Sequence, residues 1–320
     1  MLRMILRRLA VGIAMLVAVS ALIFIVLRLL PGDPVMTRLG ATPGISAETL
    51  AQLRADAGLD DPILTQYFSW VGGLVRGDFG NSYFNQYSVT ELIGQRLPAT
   101  LELTVISMVL SVLIAVPAAL LVVRRPGGIV DRLVTTVSTV GMALPSFIMG
   151  VLLITVFAVR LKWLPSRGFT PLSESIGENL RSMILPSLTL AFAAAPLLLR
   201  FLRASLLEVL SAPYIRTARG KGAPAGRVLV SHALRNALIP ALTMLGLIVG
   251  YTLGGVVIIE YVFGLPGLGS LAVDAVTKRD YAVLQSCVLL ISAMFIVTNL
   301  VVDIVTGILD PRLRLGKGRG

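Results

Sequence analysis

The chain carries one histidine, His232, and one cysteine, Cys287, and neither has the company that metal binding or nucleophilic catalysis requires. No phosphate loop of the form G-x-x-x-x-G-K-[ST] occurs, because Gly220-Lys221-Gly222 and Gly316-Lys317-Gly318 lack both the spacing and the hydroxyl residue. The patterns H-E-x-x-H and G-x-S-x-G are missing too. Gly264-Leu265-Pro266-Gly267-Leu268-Gly269 follows an apolar run rather than a nucleotide-binding strand, so it reads as a tight turn. The expectation is a protein with no catalytic residue, no cofactor and no metal. What remains is contact chemistry, concentrated in RASLLEVLSAPYIRTARGKGAPAGRVLVSHALRNALIP, residues 203–240.

That basic stretch reads as helix, break and helix. Ser211-Ala212-Pro213 is a start signal, since proline tolerates the first turn, where its absent N–H is not needed. A short helix then carries Tyr214, Ile215, Arg216, Thr217, Ala218 and Arg219, until Gly220-Lys221-Gly222-Ala223-Pro224 stops it. A second helix, Gly226 to Leu238, is expected to end at Pro240. Together they form a compact knob at a membrane surface, with a plain solvated basic loop as the alternative reading.

The elements that must carry this knob are apolar. Hydrophobic residues make up 56% of the 320 residues and charged residues only 14%, with a mean hydropathy of +0.87. A soluble domain of this length needs a more polar surface, so the class is an all-α integral membrane protein. The net charge of +11 lies beside the apolar runs rather than on one polar face, which fits membrane topology and not nucleic acid.

Arg3, Arg7 and Arg8 precede an uncharged run from Leu9 to Leu27, long enough to cross a core of about 30 Å. Pro31-Gly32-Asp33-Pro34 after it is no cleavage site, so the run reads as an uncleaved first span with a cytoplasmic N-terminus. Five more spans are expected at Leu103 to Val123, Leu133 to Val159, Ser182 to Leu199, Ala237 to Ile259, and Tyr281 to Val302 with an extension to Leu309. Six crossings put both termini on the cytoplasmic side, which also holds the larger share of the 28 Lys and Arg. The organisation is therefore a tail and first span (1–30), an extracytoplasmic segment (31–98), a five-helix core (99–310) containing the loop 203–240, and a basic cytoplasmic tail (311–320).

The outer segment keeps helices of its own. Ser46 caps one through Leu50 and Leu53 that ends at Gly58, and Asp61-Pro62 begins another with Tyr67, Phe68, Val71, Leu74 and Val75 on one face. Membrane lipid or the extracytoplasmic mouth would satisfy that stripe. Inside the spans, Pro117, Pro145, Pro186 and Pro196 are expected to kink or open helices. Gly246, Gly250 and Gly254 give the fifth span a smooth face for close packing or a moving pathway wall. Ionisable residues stay at span ends, at Glu102, Arg200, Glu260 and Asp303, which disfavours an ion-coupled secondary transporter.

The same residues carry a resemblance. Tyr214-Ile215-Arg216-Thr217-Ala218-Arg219, Lys221-Gly222 and His232 to Pro240 resemble the cytoplasmic EAA loop of bacterial ABC importer permeases, in the version of the dipeptide, oligopeptide and nickel family. Arg216-Thr217-Ala218 stands where the general pattern has Glu-Ala-Ala, and Arg235 stands at a common proline position. The segments Leu29 to Pro34, Arg76 to Gly80, Arg96 to Glu102, Ala143 to Phe147, Phe263 to Gly267, Arg279 to Tyr281, and Asp303 with Asp310-Pro311-Arg312 are similar to the family's in the same order.

The resemblance implies a type I ABC importer permease fold and a multi-pass location in the bacterial plasma (inner) membrane. Its expected partners are a second homologous permease, two cytoplasmic ABC ATPase subunits that hydrolyse the ATP, and an extracytoplasmic solute-binding protein. Tyr214 to Ala223 would be the ATPase-coupling element and residues 31–98 part of the face that receives the binding protein. The cargo expected is a dipeptide or oligopeptide, with nickel or another small solute as the alternative. An exporter subunit or a membrane scaffold are further readings.

Overall fold

A computed structural model describes residues 2–29, 47–56 and 58–309. The expected Ser46 cap, Pro31 to Pro34 and the basic tail from Arg312 lie outside the described residues. Among those described there is no strand, only an isolated antiparallel bridge between Asn81 and Ser88. The helices are α1 (Leu2–Leu29), α2 (Ala47–Asp56), α3 (Ile63–Val75), α4 (Val89–Val122), α5 (Ile129–Ala143), α6 (Ser146–Arg160), α7 (Ile176–Ser211), α8 (Pro213–Gly220), α9 (Ala225–Phe263), α10 (Leu268–Thr277) and α11 (Tyr281–Leu309). Among the described residues five are long and apolar enough to cross a membrane, or six when the bent pair α5–α6 is counted as one broken span.

Three expectations about the spans change. The third run, read as one span from Leu133 to Val159, bends by 104° between α5 and α6. Leu144 is extended (φ −85°, ψ 126°), the conformation that a following proline enforces, and Pro145 then starts α6. Pro117, Pro186 and Pro196, expected to kink or open their helices, lie inside continuous helices, so Pro145 alone of the four marks a helix end. The fourth span exceeds the expected Ser182–Leu199 at both ends, and the fifth begins at Ala225 rather than Ala237. Its first part includes a π-helical stretch, Val228–Leu234, and the helix continues through Pro240 instead of ending there.

Contacts divide the chain into two compact units. One comprises the described residues of Met1–Arg8, Glu102–Gly264 and Phe295–Gly320. Its core is rich in small residues: Ala115 and Ala119 of α4, Ala194, Ala195, Leu198, Leu202 and Leu206 of α7, and Leu229, Ala233, Ala237 and Ala241 of α9. Alanine every fourth residue lets α9 approach α7 closely, which in lipid replaces the hydrophobic drive with van der Waals contact.

Asp131, near the start of α5, is buried and takes both ends of the Arg203 guanidinium, Nε–H to Oδ1 at 2.9 Å and Nη2–H to Oδ2 at 2.6 Å. The Gly127 N–H donates to the same carboxylate at 2.8 Å, from a left-handed backbone (φ +76°). This clamp ties the turn after α4 to the cytoplasmic end of α7. Asp303 of α11 pairs with Arg8 at 3.1 Å.

The other unit comprises the described residues of Leu9–Leu101 and Leu265–Met294. Val89 and Ile93 pack with Leu268, Leu271, Ala275, Val283 and Cys287, so the single thiol fills core space. Thr100 Oγ1 accepts from the Leu268 N–H at 2.8 Å and so fixes the start of α10. Asp280, buried just before α11, accepts from the Ser82 hydroxyl and, at 3.1 Å, from the Tyr83 N–H. The Ser82 oxygen in turn accepts from the Phe84 and Asn85 N–H groups. One carboxylate thereby organises the loop after Gly80.

The helix α3 corrects the expected stripe. Tyr67, Val71 and Leu74 do face inward, joined by Trp70, but Phe68 and Val75 are 67% and 84% exposed. Tyr67 hydrogen-bonds Ser20 of α1 at 2.9 Å, and Phe24 of α1 meets both Tyr67 and Trp70 with ring centroids 5.4 and 6.0 Å away. The stripe spans a wider arc than one partner covers.

Each carboxylate clamp has a measurable consequence. Replacing Asp280 by Ala strands a buried hydroxyl and a backbone N–H, with an expected loss of about 1–3 kcal/mol. Asp131→Ala leaves the Arg203 guanidinium without its counter-charge, for about 3–5 kcal/mol. Thermal denaturation of the purified protein in mild detergent should fall in midpoint for both, and further for Asp131→Ala.

Candidate functional site

The basic segment folds as a rigid elbow between two long helices. Pro213 opens α8 at its first turn after Ala212 turns extended (φ −66°, ψ 146°), so the missing proline N–H costs nothing. At the other end Gly222 adopts φ +83°, a left-handed conformation open to glycine. The Gly222 N–H then reaches the Arg219 carbonyl at 2.9 Å and the Ala223 N–H reaches that of Ala218 at 3.2 Å, closing the helix end. Lys221 donates its N–H to the Thr217 carbonyl at 3.0 Å.

One side chain pins α8 to the body. Ile215 is completely buried, while Tyr214, Arg216, Thr217, Arg219 and Lys221 are exposed. The Tyr214 hydroxyl accepts from Asn236 Nδ2 at 3.1 Å, and Ser205 Oγ donates to the Ala237 carbonyl at 3.2 Å. These two bonds lock α8 and α7 onto the beginning of α9. The exposed face adds Arg227 and Arg235 to the three cations of the elbow, and the only acid between Arg203 and Pro240 is Glu208. This face disfavours a basic partner surface, because like charges across an interface repel.

The residues marked within the spans separate into two roles. A Cβ on Gly250 would run into the Phe295 ring of α11, and one on Gly246 would lie 2.8 Å from Asn299 Oδ1. Gly254 has open space before it and, with Gly250, lines a cavity of about 360 Å³ together with Ser146, Leu190, Tyr251 and Ile258. Pro145 places Ser146 at that wall by ending α5 and starting α6. The spacing of the glycines signalled a smooth face, and their neighbours divide it between helix packing and an opening.

Two features escaped sequence reasoning. Asp131 carried no signal until Arg203, far along the chain, was brought beside it. Along α9, Thr243, Leu247, Tyr251, Gly254, Ile258 and Tyr261 form one exposed stripe, recurring every three or four residues. The period was readable, but apolar residues on every side of the helix hid it.

Comparison with known proteins places this geometry. Residues 111–315 match the family model described as "Binding-protein-dependent transport system inner membrane component", and residues 1–104 match its N-terminal membrane-component counterpart. A probable peptide ABC transporter permease protein of Sinorhizobium fredii is 41% identical over 97% of this chain and 98% of its own length. The glutathione transport system permease protein GsiC of Escherichia coli is 42% identical, over 98% and 99%. A chain of an inward-facing MetNI methionine ABC transporter shares the fold, with a TM-score of 0.58 at 20% identity over 68% of this chain and 96% of that one. A charged elbow on a six-span helical body, with whole-length relatives of this kind, has one reading: the chain belongs to the binding-protein-dependent transport system inner membrane components, as a multi-pass permease subunit of an ABC importer.

Proposed function

We propose that this permease passes peptides, handed over by an extracytoplasmic binding protein, and that α8 seats in a groove of a cytoplasmic ATPase. The observation that carries the second part is the elbow itself, a helix opened by Pro213 and closed at Gly222, pinned by Ile215 and exposing Arg216, Arg219 and Lys221. Support for the first part comes from relatives named for peptide and glutathione transport that match almost the whole chain. The full assembly pairs this chain with a second homologous permease, two ATPase subunits and the binding protein.

In this reading ATP hydrolysis belongs to the ATPases and the permease supplies mechanics. Closure of the ATPases moves α8, and α8 moves α7 and α9 through Ile215, the Tyr214–Asn236 bond and the Ser205–Ala237 bond. Arg203 passes the displacement to α5 through Asp131, at the head of the bent span. The stripe of Leu247, Tyr251, Gly254 and Ile258, beside Ser146, is the wall that the cargo meets.

Two outcomes test these roles. Gly222→Pro demands φ near −65° where the backbone sits at +83°, so the cap fails. Uptake of a labelled dipeptide by vesicles containing the assembled transporter should be lost, with membrane insertion unchanged, as it should on deletion of Pro213 to Gly222. Wild-type uptake by either variant removes α8 from coupling.

The glycines give a paired test. Gly250→Ala strikes the Phe295 ring and should lower the yield and thermal midpoint of folded protein. Gly254→Leu meets open space and should leave the midpoint near wild type while reducing uptake about tenfold or more. Equal uptake by Gly254→Leu and wild type takes that position out of the pathway.

A further inference from the structure

The outer segment contains a helix with three distinct flanks. On a wheel of about 100° per residue, Leu64, Phe68 and Val75 of α3 fall within about 40° of one another. They are 71%, 67% and 84% exposed. The flank facing α1 carries Tyr67, Trp70 and Leu74. Roughly opposite the exposed apolar flank lie Gln66, Ser69 and Gly73, which line a polar cavity of about 620 Å³ together with Arg28, Asp61 and Asp78. No residue from Ile63 to Val75 is charged.

The level of α3 can be read from α1. Arg8 and Arg28 bracket the uncharged run Leu9 to Leu27, which at about 1.5 Å per residue matches a core of about 30 Å, so Arg28 marks the outer edge of the hydrocarbon. The Arg28 guanidinium lies 5.0 Å from the Phe24 ring centroid, so the cation at the end of the apolar run rests on an aromatic face. Phe24 and Ser20 therefore sit about 6 and 12 Å below that edge. These are the residues that Tyr67 and Trp70 touch. Side chains of α3 reach below the membrane surface, and the flank beside them is Leu64 and Phe68.

We infer that α3 is an interfacial helix, seated on α1 with its Leu64–Phe68–Val75 flank in outer-leaflet lipid and its Gln66–Ser69–Gly73 flank on the aqueous cavity. The occupant is lipid for two reasons. The contact depth lies within the acyl region, and the polar residues of α3 are sorted to the side opposite the exposed apolar flank. Fully exposed apolar side chains on a short uncharged helix gain by that burial. The binding protein, expected to dock on this same outer segment, is thereby directed away from the Phe68 flank.

Site-directed spin labelling of the assembled transporter in nanodiscs tests this, with Cys287→Ser as background and single cysteines at Leu64, Phe68 and Ser69. At 64 and 68, collision with oxygen should exceed collision with a water-soluble nickel chelate several-fold, and the order should reverse at 69. Nickel access at 64 and 68 would make the flank solvated and overturn the assignment. Shielding from both reagents would mean that a protein surface covers it, which overturns the assignment equally. If a label at 68 prevents assembly, Phe68→Trp in a Trp70→Phe, Trp163→Phe background gives a second readout. Quenching by brominated lipid supports the lipid contact, and quenching by aqueous iodide refutes it.

Discussion

Hydrocarbon about 30 Å thick offers no partner to a peptide N–H or C=O, and every feature of this chain answers that constraint. Backbone groups are satisfied within helices, and where a helix breaks the chain supplies local compensation. Pro145, which has no N–H, sits just before α6 where none is required, and Gly150 within α6 lies close to Phe263 and Thr189. Ser107, Ser111, Thr189, Thr252 and Ser286 turn their hydroxyls back onto carbonyls four residues earlier. These five hydroxyls thus enter the apolar region with a hydrogen bond already made.

Charge is handled by the same economy. The carboxylates that matter structurally, Asp131, Asp280 and Asp303, lie near helix ends, each joined to donors from a distant part of the chain. Cations are left free where a partner is expected, on the face around α8. A surface with Arg216, Arg219, Lys221, Arg227 and Arg235 and almost no acid is poorly suited to remain bare, and well suited to a complementary acidic groove.

The order of spans, the capped helix at Pro213 and the stop at Gly222 were legible in the sequence because each depends on neighbours within a few residues. The π-helical stretch Val228–Leu234 was not, since nothing local distinguishes it from an ordinary helical turn. The extra length of α7 was hidden because Arg200, Arg203 and Glu208 end an apolar run without ending a helix. Arg203 was visible as a charge, but its partner Asp131 lies on another helix and required the fold. For α3 the apolar residues on one face were legible; only α1 divided that face into a packed and an unpacked part. The glycine spacing was equally clear, and equally silent on which glycine meets Phe295 and which meets open space.

The length of α7 carries a mechanical meaning. At about 1.5 Å per residue, its 36 residues extend roughly 54 Å, far more than the bilayer needs. In the proposed coupling the surplus lets the helix act as a lever, with α8 at the end of its projecting arm and the tilt of the membrane-embedded part as its output. Pro186 and Pro196 sit within the apolar part of the helix, where a missing hydrogen bond softens a helix without cutting it. In that proposed coupling, a displacement of α8 becomes a small rotation beside the cavity of Gly254, and Arg203, part-way along α7, holds α5 to the same swing through Asp131.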